Sequence, residues 1–174
     1  NLRGVGFGVI TSTEGGNLSG IDLTGASFVG SGVLAGADLT DADITECQFR
    51  CSVTKEQLFS TRSYRQGRFI KIGFSNRDFR DADFSAMNLT GCRFVNCDFA
   101  GASFEDAVVT DVDFRDTPLH PCKNLTLDQI KSTWNYKHGR MAGIQLPEEL
   151  AKALEQEAQT TEEEPAAGGI GRED

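Results

Sequence analysis

The stretch RDFRDADFSAMNLTGCRFVNCDFAGASF, residues 77–104, carries a large apolar side chain at every fifth position. A strand brings side chains to one face every 2 residues and a helix every 3.6, so neither element explains this spacing. The ladder runs from Phe69 to Leu119. Its candidate structural core residues are Phe74, Phe79, Phe84, Leu89, Phe94, Phe99, Phe104 and Phe114. Such a repeat requires a backbone that turns after each short extended segment.

The residue two positions before each ladder residue is mostly small or apolar, as at Ala82 and Cys92. Two inward side chains separated by one outward side chain describe a short extended segment. Four such segments and their turns make a coil of about 20 residues, and coils stack at about 4.8 Å, the strand spacing of a sheet. The pattern therefore predicts an all-β solenoid in which Phe74, Phe94 and Phe114 form one buried column.

These units resemble the repeats of the pentapeptide-repeat family: a small residue, Asp or Asn, Leu or Phe, a polar residue and a variable residue. Matching units are ADLTD (37–41), ADFSA (82–86), CDFAG (97–101) and ASFED (102–106). The resemblance covers roughly residues 17–51 and 68–121 and implies a right-handed quadrilateral β-helix. Arg77 departs from the pattern because it places a long charged side chain at an interior site. We expect a distorted side there, or an arginine that reaches out past the axis.

A longer repeat interrupts the ladder. VTKEQLFSTRSYRQGRFIKIGF, residues 53–74, matches LTLDQIKSTWNYKHGRMAGIQL, residues 125–146. Each copy opens with Thr-x-x-Gln, a capping box that begins a helix. We expect the first module (53–68) and the second module (125–140) each to be a short helix followed by a loop. After the second module the ladder is not expected to resume, and the helix of that module would cover the open end of the stack.

These features predict a solenoid domain of residues 1–146 with the two modules as short helical insertions. Pro147 and the two glutamates after it suit the first turn of a helix. An amphipathic C-terminal capping helix is therefore predicted over 147–159. The acidic remainder, 160–174, is predicted to be disordered because it has almost no apolar bulk. The chain begins at Asn1, and we expect it to be a processed product or a fragment.

The net charge of −9 is unevenly distributed, because the two modules are basic whereas the coils and the tail are acidic. The simpler interpretation is that the basic modules dock on the acidic coils, where each surface pair contributes little. The alternative is that they bind an anionic partner, since Arg and aromatic side chains are frequent at binding hot spots. The candidate partner-binding surface then consists of Arg62, Tyr64, Arg65, Arg68, Trp134, Tyr136, Lys137 and Arg140.

Motifs of catalysis or of cofactor and metal binding are absent from the sequence, including HExxH, GxSxG and the P-loop. Of the two histidines, His120 lies in a Pro-flanked turn and is interpreted as a surface residue. The five cysteines show no CxxC spacing. They are interpreted as small core residues, with a disulfide as the less favoured alternative, which favours a reducing, cytoplasmic location. No apolar run approaches 18 residues, so no membrane span is predicted.

These observations predict a non-catalytic protein-interaction or structural scaffold module without a cofactor. A solenoid offers rigid faces whose outward residues are free to vary, and an unidentified protein is the expected partner. The overall acidity disfavours nucleic acid as a partner. The resemblance implies an alternative, because some members of the family imitate duplex DNA and bind gyrase. The short stack and the two basic modules weigh against that alternative.

Overall fold

The computed structural model describes residues 1–7, 15–30, 34–115 and 122–162. The ladder residue Leu119, the turn residue His120 and the part of the predicted tail from residue 163 onward lie outside these described residues.

Five short parallel strands form a sheet whose spatial order follows the chain. The strands are β1 (Gly6–Phe7), β2 (Ser27–Gly30), β3 (Gln48–Cys51), β4 (Gly73–Ser75) and β5 (Arg93–Val95). The register pairs one phenylalanine with the next, from Phe7 through Phe28, Phe49 and Phe74 to Phe94. Parallel neighbours that are consecutive in the chain require one full coil between them. The chain is therefore a β-helix solenoid.

Isolated bridges extend the stack around the rest of each coil. Four of them, in consecutive five-residue segments, join residues 20 positions apart (Asp78–Asp98, Asp83–Ser103, Asn88–Val108 and Arg93–Asp113), as the bridge Arg68–Asn88 also does. Neighbouring bridges are themselves five residues apart, so every five-residue segment of one coil lies beside its counterpart in the next. The five-residue spacing of apolar side chains in the sequence thus corresponds to the stacking of these segments from one coil to the next.

The aromatic ladder fills the axis of the solenoid. Phe74, Phe94 and Phe114 stack nearly parallel, with ring centroids 5.3 Å apart at each step. Rings of different columns meet edge to face, as Phe79 and Phe94 do at 6.0 Å. Both arrangements are favourable for aromatic quadrupoles. A solvent exposure of at most 1% is shared by Phe74, Phe79, Phe84, Leu89, Phe94, Phe99, Phe104 and Phe114.

Each inserted module folds as two short helices, where one helix and a loop were expected. The first module contains α1 (Lys55–Phe59) and α2 (Arg62–Arg65), and the second contains α3 (Leu127–Lys131) and α4 (Trp134–Lys137). The second helix forms because a further threonine caps it: the Thr61 hydroxyl accepts from the N–H of Tyr64, and Thr133 does the same for Tyr136.

The ladder resumes after the second module, contrary to expectation. Gln145 bridges Asp113, and the N–H of Phe114 donates to the carbonyl of Gln145 at 2.8 Å. The flanking Ile144 and Leu146 are half-buried against the core. Two apolar side chains around one outward residue are enough for a single extended segment, even where no full coil of repeats follows.

A longer helix, α5 (Glu148–Glu162), follows this segment and packs against α3. Lys131 of α3 forms an ion pair with Glu157 of α5. The sequence predicts a helix over 147–159, and the helix of the structure runs three residues farther.

We expect Phe94→Ala to lower the free energy of unfolding by about 3–5 kcal/mol, because the substitution leaves a cavity in the middle of a stacked column. Urea unfolding followed by circular dichroism measures the change. Val29→Ala is the matched control, since Val29 belongs to the same sheet but is 41% exposed. A Phe94→Ala protein as stable as the control would contradict the stacked core.

Candidate binding surface on the inserted modules

The glutamine of each capping box also docks its module onto a coil. Gln57 closes the box with Thr54, and its Nε2 donates to the carbonyls of Leu34 and Ala37, both at 2.8 Å. Gln129 makes the equivalent pair of hydrogen bonds in the second module, at 2.9 and 2.7 Å. The Thr-x-x-Gln motif predicts where the helix starts. The docking hydrogen bonds of its glutamine are visible only in the structure, where the coil lies beside the helix.

A buried polar side chain of each module satisfies a backbone N–H of the coil. Ser63 Oγ accepts from the N–H of Ile44 at 2.9 Å, and Asn135 Oδ1 accepts from the N–H of Val109 at 2.7 Å. The two positions are equivalent in the two copies. Sequence comparison of the copies misses them because the residue types differ although the role is the same.

Two of the candidate arginines are engaged in docking the first module. The guanidinium of Arg62 donates to the carbonyl of Asp41 from Nη2 at 2.9 Å and from Nε at 3.2 Å. It also reaches the carbonyl of Gly20, at 3.3 Å. Arg65 forms an ion pair with the carboxylate of Asp41. These contacts agree with the simpler interpretation of the charge pattern, in which basic modules dock on acidic coils.

The candidate tyrosine of the first module is also engaged in the fold. The Tyr64 ring stacks on Phe59 with centroids 4.0 Å apart, and its hydroxyl donates to the carbonyl of Asp83 at 2.8 Å. Burial raises the pKa of Tyr64. Arg68 remains exposed and forms no ion pair with any of the described residues. It is therefore the candidate of this module with a side chain left for a partner.

The candidate lysine of the second module pairs with the coil below it. Lys137 forms ion pairs with Glu105 and with Asp106, the latter at 2.9 Å. Two hydrogen bonds raise the pKa of Lys137, and the one to Glu105 has a larger effect than the one to Asp106. Tyr136, one residue earlier, is half-buried. Of these two side chains, Lys137 is the one engaged with the coil.

Trp134 forms a stack with His138 and a cation–π contact with Arg140, and we call these three residues the Trp134 cluster (Trp134, His138 and Arg140). The His138 ring stacks on Trp134 with centroids 4.3 Å apart, and the Arg140 guanidinium lies 5.4 Å from the centroid of a Trp134 ring. Trp134 is half-buried, whereas His138 and Arg140 are exposed. His138 is not among the candidates chosen from the sequence, although its spacing of four residues from Trp134 on a helix could have indicated the contact.

Arg77 is buried, whereas the sequence predicts either a distorted side or an arginine that reaches out past the axis. Its Nη1 donates to the carbonyl of Val53 at 2.9 Å, and its Nη2 donates to the carbonyl of Cys51. The reason is the first module: β3 pairs with β4 only through Gln48 and Phe49, so the carbonyls that follow have no partner in the next coil. Desolvation lowers the pKa of Arg77.

Within the described part of the chain, no group of His, Cys, Asp and Glu side chains is arranged to hold a metal ion. None of the helices in that part is both long and apolar enough to cross a membrane.

The family model for pentapeptide repeats matches residues 14–52 and 78–116, with eight copies. The chain is a pentapeptide-repeat protein. The two matched ranges lie on either side of the first module in the sequence. A search of curated proteins found no match.

This pentapeptide-repeat protein is similar to solved structures of QnrB1, a plasmid-mediated fluoroquinolone resistance protein. Full-length QnrB1 is 14% identical, and the alignment covers 90% of this chain and 96% of that chain with a TM-score of 0.30. A trypsin-treated variant is also 14% identical, with 91% and 89% covered and a TM-score of 0.24. At TM-scores below 0.5, neither match carries an argument about fold or function.

In this pentapeptide-repeat protein we expect Arg77→Ala to lower the free energy of unfolding by about 3 kcal/mol. The substitution removes two hydrogen bonds from a charged donor, each of which contributes at least about 1.5 kcal/mol. Urea titration measures the loss. Arg80→Ala is the control, because Arg80 is exposed and pairs with Asp78 at the surface. Equal stability of the two variants would show that the Cys51 and Val53 carbonyls do not depend on Arg77.

Proposed function

We propose that this pentapeptide-repeat protein is a non-catalytic interaction module that binds an acidic segment of a partner protein through the Trp134 cluster. The observation that carries the proposal is the half-exposed Trp134 ring, which is in contact with the exposed side chains of His138 and of the cationic Arg140. Trp and Arg are the residue types most enriched at binding hot spots. A ring already fixed by its neighbours loses little side-chain entropy when a partner binds.

The other candidates support this choice because most of them already serve the fold. Arg62 and Arg65 are engaged with Asp41, and Lys137 is engaged with Glu105. A partner that recruited these side chains would have to replace existing contacts. Of the predicted surface, Arg68, Trp134, Tyr136 and Arg140 therefore remain to bind a partner, and His138 adds to them through its contact with Trp134.

The proposal includes a finer description of the scaffold, a right-handed quadrilateral β-helix with α5 as a C-terminal cap. The four bridges that recur along one 20-residue coil support four sides. Right-handed crossovers between parallel strands are the rule in proteins. Leu150 and Leu154 of α5 pack against the core and support a capping role.

The proposed division of the chain is a solenoid domain of 1–146 that contains both modules, followed by the C-terminal helix Glu148–Glu162, which extends three residues into the predicted tail. The docking hydrogen bonds of Gln57 and Gln129 support placing the modules within the solenoid domain. A reducing, cytoplasmic location is also part of the proposal, and the odd number of cysteines supports it.

A second candidate function is binding to gyrase by imitation of DNA, which the acidic outward positions of the coils favour. Asp38, Asp78 and Asp98 are examples. Each of these carboxylates, however, accepts the backbone N–H two residues farther along the chain, as turn aspartates do. Arg80 also pairs with Asp78. These carboxylates are thus partly engaged in hydrogen bonds of the turns, and the positive charge of Arg80 interrupts the negative surface.

We expect Trp134→Ala to weaken binding of the partner by about 30-fold or more, since a hot-spot residue contributes about 2 kcal/mol. The whole chain is used to capture the partner from cell lysate, and affinity is then measured with the purified partner by calorimetry. Arg140→Glu should weaken binding in the same way. Arg50→Glu is the control, because Arg50 is an exposed arginine of β3 that lies outside the candidate surface.

Unchanged affinity in both second-module variants, with melting temperatures equal to that of the wild type, would contradict the proposed surface. Purified type II topoisomerase is titrated in parallel at low and high salt. Tight binding that survives Trp134→Ala and disappears at high salt would favour DNA mimicry, because imitation of DNA depends on continuous negative charge.

A further inference from the structure

Two cysteines lie side by side where the chain enters the second module. Asp98 bridges Lys123 in parallel, and the N–H of Lys123 donates to the carbonyl of Cys97 at 2.7 Å. The preceding residues, Cys97 and Cys122, are therefore neighbours on adjacent coils at about the strand spacing of 4.8 Å. That separation falls within the range of about 4.4–6.8 Å between Cα atoms that disulfides occupy.

The two thiols also meet. The side chains of Cys97 and Cys122 form a hydrogen bond with each other. Both sulfurs lie near the same strand, with Cys97 Sγ at 3.6 Å from the carbonyl of Val95 and Cys122 Sγ at 3.4 Å from that of Phe94. Cys97 is fully buried, whereas Cys122 is half-buried. One thiol is thus accessible and the other lies directly behind it.

Two of the three remaining cysteines, Cys47 and Cys92, have different surroundings. Cys47 and Cys92 lie in another column, and each donates to a backbone carbonyl at 3.0 Å, Cys47 to Leu23 and Cys92 to Phe69. Burial raises the pKa of Cys47 and that of Cys92 to about 12. These thiols behave as small core side chains, as the sequence predicts for all five, and they supply a matched control.

We propose that Cys97 and Cys122 are a redox modification site that forms a reversible disulfide with hydrogen peroxide as the oxidant. The accessible Cys122 thiol attacks one peroxide oxygen, which breaks the O–O bond and leaves a sulfenic acid and one water. The Cys97 sulfur then attacks the Cys122 sulfur and displaces the hydroxyl as a second water, which takes up the Cys97 proton. Two thiols lose two electrons in total, and the peroxide gains them.

The order of these steps follows from the surroundings of Cys97. The hydrogen bond with Cys122 and burial raise the pKa of Cys97, while the nearby Arg77 opposes that increase. Arg77 is close because Asp78 bridges Asp98, which places Arg77 beside Cys97 in the column. The order of the steps is set by exposure: peroxide reaches the half-buried Cys122 before the fully buried Cys97, so Cys97 resolves the sulfenic acid on its more accessible neighbour.

The disulfide would tie the entrance of the second module to the coil beneath it. At present that junction depends on the backbone ladder and on a hydrogen bond from Asn124 Nδ2 to Asp98 Oδ1 at 2.8 Å. A covalent link across the junction restricts the unfolded chain and should raise the melting temperature. The link would join residues on adjacent coils without requiring any change in register.

The test treats the whole chain with hydrogen peroxide, blocks remaining thiols under denaturing conditions and counts them by mass spectrometry. We expect the number of free thiols to fall from five to three, with one linked peptide pair that contains Cys97 and Cys122. A small thiol reductant should restore all five. The oxidised chain should melt several degrees above the reduced chain.

Cys122→Ser should abolish the linked peptide pair, whereas Cys92→Ala should retain it. Circular dichroism before treatment establishes that both variants are folded. Retention of all five thiols in the wild type, a disulfide between any other cysteines, or a disulfide-linked dimer would overturn the proposal. An intramolecular disulfide that persists in Cys122→Ser would overturn it as well.

Discussion

Backbone hydrogen bonds that run along the axis, from each coil to the next, are the interaction on which the rest of this structure depends. The N–H of Phe79 donates to the carbonyl of Asp98, and the N–H of Asp98 donates to that of Arg77, both at 2.9 Å. This parallel register places every inward side chain against its counterpart in the next coil. A shift by one residue would turn the phenylalanines toward solvent, so the aromatic columns and the backbone ladder specify each other.

The inserted modules also take part in the backbone hydrogen bonds that join one coil to the next. The N–H of Asp41 donates to the carbonyl of Ser60 at 3.1 Å, and the N–H of Asp106 donates to that of Ser132 at 2.9 Å. Each module therefore takes the place of an extended segment in the ladder and continues the stack through its helices. Because the backbone ladder holds the modules, the position of an outward side chain such as Trp134 is set by the solenoid itself.

The sequence was most informative about interior positions and least informative about contacts between distant segments. A spacing of five is enough to predict the buried column that contains Phe94, and Thr-x-x-Gln is enough to predict the start of α1. The burial of Arg77 could not be predicted, because it depends on carbonyls that the chain leaves unpaired when it enters the first module. The resumed strand at Gln145 was missed because a single apolar–polar–apolar segment has no periodicity of its own.

The two copies of the module carry different side chains, Arg62 and Trp134, at a position where their backbones make the same hydrogen bond. The N–H of Arg62 donates to the carbonyl of Ala42, and the N–H of Trp134 donates to that of Ala107 in the equivalent way. In the first module the arginine side chain turns back onto the coil and binds carbonyls. In the second module the tryptophan stacks with His138 of its own module. The shared glutamine makes equivalent docking hydrogen bonds in both copies, so the two modules are attached alike while the side chain at this one position makes different contacts in each.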